Sequence, residues 1–150
     1  MLYHAKNAAV VSGDTTMDYI RFGTGERNLI ILPGLGDGLQ TVKGTALPMA
    51  VMYRCFAKDF TVWAFSRKNA LPQGYTTRQM AQDLSDAMEQ LGITQADIFG
   101  VSMGGMIAQH LAILQQIGNL LTQQGLSLSA GLAQLTSAKH ESFLLFERLH

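Results

Sequence analysis

The sequence predicts an α/β fold, a mainly parallel β-sheet flanked by helices. Short apolar segments rich in β-branched residues alternate along the chain with longer segments whose apolar residues recur every three or four positions. The first pattern is typical of strands buried on both faces, and the second of amphipathic helices. Strands that alternate with helices pair in parallel through right-handed crossovers, which places helices on both faces of the sheet.

The first half of the chain supplies four predicted strands and one helix. Residues 1 to about 25 contain short strands separated by turns, of which MDYIRF is the clearest. NLIIL is the first fully apolar strand and stops at Pro33 and Gly34. A helix is expected near Pro48, since proline is tolerated in a first turn, and FTVWAFS is the next strand.

A second helix, capped by Thr76 or Thr77, is predicted to extend to about Leu91 and to stop at Gly92. Its repeat of apolar residues places Asp83 and Asp86 on the exposed face. QADIFGVS then forms another buried strand, and MGGMIAQHLAIL another helix.

Composition limits the classes of function. A chain of 150 residues has the length of one domain, and we take residues 1–150 as one. Eleven basic residues balance eleven acidic ones, so charge gives no argument for binding nucleic acid or a membrane. Neither a signal peptide nor an apolar run of about 18 residues is present, so a cytoplasmic location is expected. The single cysteine, Cys55, is expected to be buried.

The chain changes character after Leu114. From Met103 to Ala138 it has no Asp, Glu, Lys or Arg, and glutamines recur. IGNLL is compatible with a strand and SAKHESFLLFERL with a capped helix, so the interpretation of residues 115–150 stays open.

One motif in the sequence indicates a catalytic residue. Gly100-Val-Ser-Met-Gly104 fits the pattern Gly-x-Ser-x-Gly at a predicted junction of strand and helix. So tight a turn holds the serine in a strained backbone conformation with its hydroxyl outward, and side chains at the two glycine positions would collide with neighbouring backbone. The alternative is that Ser102 merely caps the following helix.

Other site types are less well supported. GLGDGL follows a strand as a dinucleotide-binding loop does, but Leu39 stands where the third glycine is required. GLQTVKGT has its glycine and lysine in the wrong order for a phosphate-binding loop. No histidine–carboxylate cluster indicates a metal, so neither a metal nor a cofactor is expected.

The chain resembles the α/β-hydrolase fold family over residues of about 17 to 113. The similarity rests on LIILPGLGDG, TVWAFSR, TTRQMAQDLSDAMEQLGI and DIFGVSMGGMIAQHLAI. It implies that Ser102 is the nucleophile and that the backbone N–H groups of Leu35 and Met103 form an oxyanion hole. Many members have His-Gly where this chain has Pro33 and Gly34, which removes a side chain that often braces the loop.

The resemblance also implies an acid and then a histidine after the serine. The histidines after Ser102 are His110, His140 and His150. His110 lies eight residues into a helix that carries it away from the serine, about 12 Å along the axis. Glu141 or Glu147 with His150 satisfies the order. They lie close together on one short segment, however, whereas the family takes acid and base from separate strand ends.

The general base and acid are therefore unassigned, and the chain is interpreted as the front part of a hydrolase, incomplete at its C-terminal side. A truncated or altered reading of a longer gene would explain this, and the locus downstream of His150 would then hold the rest. Such a sheet has an open edge, so aggregation, self-association or partial unfolding is expected.

Three functions stay open. The first is a serine hydrolase that acts on a small ester or related acyl compound through an acyl-enzyme. The second is a catalytically inactive remnant or binding module of the same fold, and the third is an acyltransferase with the same nucleophile. The expected partner is a small acyl substrate.

Overall fold

The computed structural model describes residues 2–34 and 41–123. The chain divides into two compact units, Met1–Leu111 and Ala112–His150, and the first contains the whole sheet. After a 3-10 turn at Leu2–His4, the elements are β1 (Lys6–Ser12), β2 (Thr15–Phe22), β3 (Arg27–Leu32), α1 (Ala46–Met52), β4 (Phe60–Lys68), α2 (Thr77–Gln90), β5 (Asp97–Gly100) and α3 (Met103–Gln123).

The five described strands form a mixed sheet in the order β1-β2-β4-β3-β5. The two N-terminal pairings, β1 with β2 and β2 with β4, are antiparallel, whereas β3 pairs in parallel with both β4 and β5. The predicted α/β class is confirmed, with the parallel part formed by β4, β3 and β5 on one side of the sheet. Ile31 lies opposite both Ala64 and Phe99, so β3, β4 and β5 end at the same edge of the sheet.

The core lies between the sheet and α1. Its fully buried members include Ile20, Phe22, Val42, Ala50 and Val62. Burial of an aliphatic or aromatic side chain of this size contributes about 1.5–3 kcal/mol to stability. Alternate residues of the strands point to the other face, where Met17 and Phe65 line a cavity together with Met80 and Leu84 of α2.

The boundaries of α2 are set by its sequence. Thr76 is the N-cap, and its hydroxyl accepts from the backbone N–H of Gln79 while the Gln79 side chain accepts from the Thr76 N–H. Leu91 is the C-cap, and Gly92 follows with a φ of 68°. The predicted cap and stop are both confirmed.

The structure corrects the predictions for IGNLL and for Cys55. IGNLL is part of α3 and not a strand, because the helical spacing of Ile107, Leu111 and Leu114 continues through Ile117. Cys55 is exposed, because it lies in the turn after α1 rather than on a face of an element packed against the core. The helix predicted in SAKHESFLLFERL lies outside the described residues.

No helix among the described residues combines the length and the apolar character that a bilayer crossing requires.

The outer edge of β5 predicts self-association. Among the described strands β5 pairs with β3 alone, and Phe99 and Val101 are 42% and 40% exposed. Unpaired strand edges with apolar side chains are templates for pairing with another chain. Light scattering after gel filtration should give a mass above 16.3 kDa that rises with concentration.

A lysine at this edge should weaken the association, so we expect Phe99→Lys to lower the mass. Val11→Lys at the opposite edge, where β1 already carries Lys6, is the matched control and should leave the mass unchanged. A monomeric wild-type chain with a sharp, cooperative melt would contradict the prediction.

Candidate active site

Ser102 lies at the corner between β5 and α3 with a φ of 52°. This left-handed conformation is costly for a residue with a Cβ atom and is concentrated at functional sites. The turn is held by backbone hydrogen bonds, from Gly104 N–H to the Val101 carbonyl at 2.8 Å and from Gly105 N–H to the Ser102 carbonyl at 2.9 Å. Ser102 is exposed. The corner therefore presents a serine side chain to solvent in a strained backbone.

The two glycines of the motif are required by contacts with backbone, as the sequence predicted. A Cβ atom at Gly100 would lie 2.5 Å from the Gly104 carbonyl oxygen. A Cβ atom at Gly104 would overlap the carbonyl oxygen of Leu32. The same Leu32 oxygen accepts a hydrogen bond from Val101 N–H at 3.1 Å. The corner therefore packs directly against the end of β3.

Met103 is the first residue of α3, so its N–H has no partner within the helix. No acceptor for it is present among the described residues, whereas the next N–H groups bond to Val101 and Ser102. The helix start adds partial positive charge at this point. Leu35, the other predicted oxyanion-hole donor, lies outside the described residues. Its role and that of Met103 stay predictions.

A cavity opens beside this corner, at the shared edge where β3 and β4 end. Its apolar wall comes from five elements, β2, β3, β4, α2 and α3, and the polar part comes from the end of β4 and from α2. The lining residues are Met17, Leu32, Pro33, Gly34, Phe65, Ser66, Arg67, Lys68, Met80, Asp83, Leu84, Met103 and Ile107. The start of the loop after β3 and the first residue of α3 therefore face the same cavity.

Asp83 corrects a prediction, because it is not on the exposed face of α2. Its carboxylate accepts a hydrogen bond from the Tyr75 hydroxyl at 2.7 Å and lies 3.6 Å from Lys68 Nζ. The side chains of Lys68 and Asp83 are 12% and 14% exposed. Asp83 follows Met80 by three positions and precedes Ala87 by four, so the spacing that identified the buried face already included it. The hydrogen bond and the ion pair that Asp83 makes with residues of other segments offset the cost of removing its carboxylate from water.

The charges of this cluster shift two pKa values. Hydrogen bonding to Tyr75, together with the negative charge of Asp83, raises the pKa of Lys68 despite its burial. Burial, with the hydrogen bond to Asp83, raises the pKa of Tyr75. At neutral pH Lys68 is therefore an ammonium and Tyr75 a neutral phenol.

The predicted partners of Ser102 are not in the described part of the chain. Within residues 2–34 and 41–123 no histidine or carboxylate hydrogen-bonds to its hydroxyl. His110 lies within α3. His140, Glu141, Glu147 and His150 lie outside the described residues. In the same ranges, no group of three or more His, Cys, Asp or Glu side chains is placed to hold a metal.

The surroundings of Gly104 and Gly105 predict opposite effects of alanine on the free energy of unfolding at these two adjacent positions. Gly104→Ala should lower the free energy of unfolding by at least about 1–3 kcal/mol, because its Cβ atom overlaps the Leu32 carbonyl. Gly105→Ala is the matched control. Its Cβ atom would have a nearest neighbour at 3.7 Å, and alanine should stabilise α3 by about 0.5–1 kcal/mol. Urea denaturation measures both, and equal effects of the two substitutions would contradict this packing.

The Lys68 cluster predicts a loss of stability at alkaline pH. A raised pKa means that the folded state holds its proton more tightly than the unfolded chain. The contribution is complete below the ordinary values of 10.5 for Lys68 and 10.0 for Tyr75, and is lost as pH rises through the raised ones. Urea denaturation at increasing pH should therefore show stability falling above about pH 10.

Asp83→Asn should make this alkaline fall shallower, because it removes the charge that helps to hold the Lys68 proton. Asp86→Asn, on the exposed side of α2, is the control and should keep the wild-type profile. Identical profiles for Asp83→Asn and the wild type would show that the cluster is not coupled to folding.

Comparison with known proteins agrees with this geometry. The model of the alpha/beta hydrolase fold family matches residues 27–120. A Mycobacterium tuberculosis protein that carries the name of a non-heme bromoperoxidase, BpoC, is 34% identical over 94 residues, which cover 61% of this chain and 34% of that protein. The acetyltransferase component of the acetoin cleaving system from Cupriavidus necator is 30% identical over 95 residues, 63% of this chain and 25% of its own length.

Among solved structures, epoxide hydrolase VrEH1 from Vigna radiata superposes with a TM-score of 0.57 at 16% identity, over 75% of this chain and 37% of that one. The chain spans about a third or less of the length of the curated relatives it matches. The order of strands, the glycine-flanked corner and the family match over residues 27–120 show together that this chain belongs to the α/β-hydrolase fold family.

Proposed function

We propose that this chain carries the nucleophile of a serine hydrolase, with Ser102 attacking the carbonyl carbon of a small ester. The observation that supports this most is the φ of 52° at Ser102, an exposed residue. The backbone N–H of the next residue, Met103, has no acceptor among the described residues. A serine that merely capped α3 would have no need of a left-handed conformation, since N-cap residues adopt extended backbone angles.

The chemistry follows from this arrangement. The Ser102 oxygen bonds to the carbonyl carbon as its proton passes to a base, and the carbonyl oxygen becomes negative. The Met103 N–H, with Leu35 as the second donor, stabilises that oxygen. The alcohol then leaves with a proton, and water attacks the acyl-enzyme to release the acid and to restore the serine. The base and its acid come from outside the described residues.

The apolar side chains that line the cavity support an acyl compound as the substrate. Phe65, Leu84 and Ile107 give it an apolar wall beside Met103. An acyl chain that contacts this wall gains burial of about 25 cal/mol per Å² of apolar surface. Hydrolysis and acyl transfer share every step up to the acyl-enzyme and differ in whether water or another molecule accepts the acyl group. Analysis of the products therefore distinguishes a hydrolase from an acyltransferase.

One observation favours the inactive alternative, a remnant or binding module of the same fold. No histidine or carboxylate contacts the Ser102 hydroxyl among the described residues, and a serine without a base is a weak nucleophile. Removal of the whole triad still leaves about 10³–10⁴-fold catalysis over water in serine proteases of other folds. Weak turnover is therefore compatible with either proposal, and the reactivity of Ser102 has to be measured directly.

A fluorophosphonate probe tests the proposal, because it reacts with activated serines. Wild-type chain should be labelled stoichiometrically, and Ser102→Ala should not be labelled. Ser85→Ala, which changes a buried serine of α2, is the matched control and should keep full labelling. Absence of labelling in the folded wild-type chain would favour the inactive alternative.

A further inference from the structure

The cavity beside Met103 contains one cation whose charge is not balanced within the described part of the chain. Arg67 lines this cavity and also a neighbouring hollow formed with Thr41, Asn69 and Leu71. It is half-buried, and no ion pair or hydrogen bond is made by its side chain among the described residues. A half-buried guanidinium without a partner is costly, so an anion at this position would be stabilised.

The neighbouring charged groups have other partners among the described residues. Lys68, the other cation of the cavity, lies 3.6 Å from Asp83 and packs its ammonium over the Tyr75 ring, 4.4 Å from the centroid. Asp18, a buried carboxylate of β2, accepts a hydrogen bond from the Thr41 hydroxyl at 2.9 Å. Neither carboxylate pairs with Arg67, so among the described lining residues its guanidinium is a cation without a partner.

An irregularity in the sheet accounts for the position of Arg67. Tyr19 lies opposite Phe65 and Met17 lies opposite Lys68, so β4 has one more residue than β2 between these pairs. Such a bulge changes the direction of side chains, and bulges are frequent beside active sites. It brings both Arg67 and Lys68 to the cavity at the end of β4, where strict alternation would place them on opposite faces.

We propose that Arg67 binds an anionic group on the acyl part of the substrate, so that the preferred substrate class is a half-ester of a short dicarboxylic acid. This inference rests on the proposed function of Ser102, because it requires the ester carbonyl to lie at Met103, on the wall that Arg67 also lines. The methylene chain contacts the apolar residues between these two positions. Guanidinium is suited to this role because its planar fork donates two hydrogen bonds to one carboxylate.

Two esters of equal acyl length test this specificity, mono-4-nitrophenyl glutarate and 4-nitrophenyl pentanoate. The first differs by a carboxylate in place of the terminal methyl group. The wild-type chain should favour the glutarate in kcat/KM. In Arg67→Gln the ratio of the two kcat/KM values should fall about tenfold or more, as expected when a charge-assisted hydrogen bond is lost. Arg67→Lys should recover part of the ratio, because it keeps the charge and loses the fork.

The exposed residue Arg54 provides the matched control. Its guanidinium donates to the Val51 carbonyl at the end of α1, and Arg54→Gln should leave the ratio at its wild-type value. Circular dichroism and thermal melts establish that each variant is folded. If the ratio of the two kcat/KM values is unchanged in both Arg67 variants, the proposal that Arg67 binds the carboxylate is overturned. The proposal that Ser102 is the nucleophile is not affected by that result.

Binding of glutarate itself provides a readout that does not depend on turnover. In NMR titrations, glutarate should bind the wild-type and Ser102→Ala chains, and bind Arg67→Gln about tenfold or more weakly. If neither ester is hydrolysed but this pattern holds, the anion site stands and the nucleophile proposal fails. If glutarate does not bind, or binds Arg67→Gln as tightly as wild type, the anion site is overturned.

Discussion

The contact between the corner at Ser102 and the end of β3 determines the geometry of the site. The Leu32 carbonyl accepts from Val101 N–H and lies where any side chain at position 104 would have to be. Because β3 is paired on both sides, by β4 and β5, this oxygen cannot move without disturbing the centre of the sheet. The sheet therefore fixes the distance between the end of β3 and the first turn of α3. An oxyanion site needs that fixed distance, since its donors act without reorganising during the reaction.

The second organising feature is the distribution of charge around the cavity. Lys68, Tyr75 and Asp83 come from a strand, a loop and a helix, and their mutual contacts join β4 to α2. The cluster places charged groups on an otherwise apolar wall without leaving either of them unpaired. Lys68 has an internal partner, whereas Arg67 has none among the described residues, and the proposed anion site rests on this difference.

The sequence was most informative where local patterns decide the structure. The apolar strand ending at Pro33, the cap at Thr76 and the spacing of glycines around Ser102 each depend on residues within a few positions, and the structure agrees with all three. The predictions for Asp83 and Cys55 were wrong because the burial of each side chain depends on which other segments of the chain pack against it. Asp83 is covered because Lys68 and Tyr75 approach it, whereas Cys55 is exposed in the described part of the chain. The bulge that brings Arg67 to the cavity has no local signature, since it arises from the register between β2 and β4.

The backbone at Ser102 has a consequence for how this position is to be understood. A left-handed φ costs an ordinary L-residue roughly 1–2 kcal/mol, whereas glycine adopts it freely. For folding alone, glycine would be the most favourable residue here, as it is at the five other described turns with positive φ where glycine occurs. The proposed role of Ser102 as a nucleophile would account for a side chain at a position where glycine costs less conformational energy.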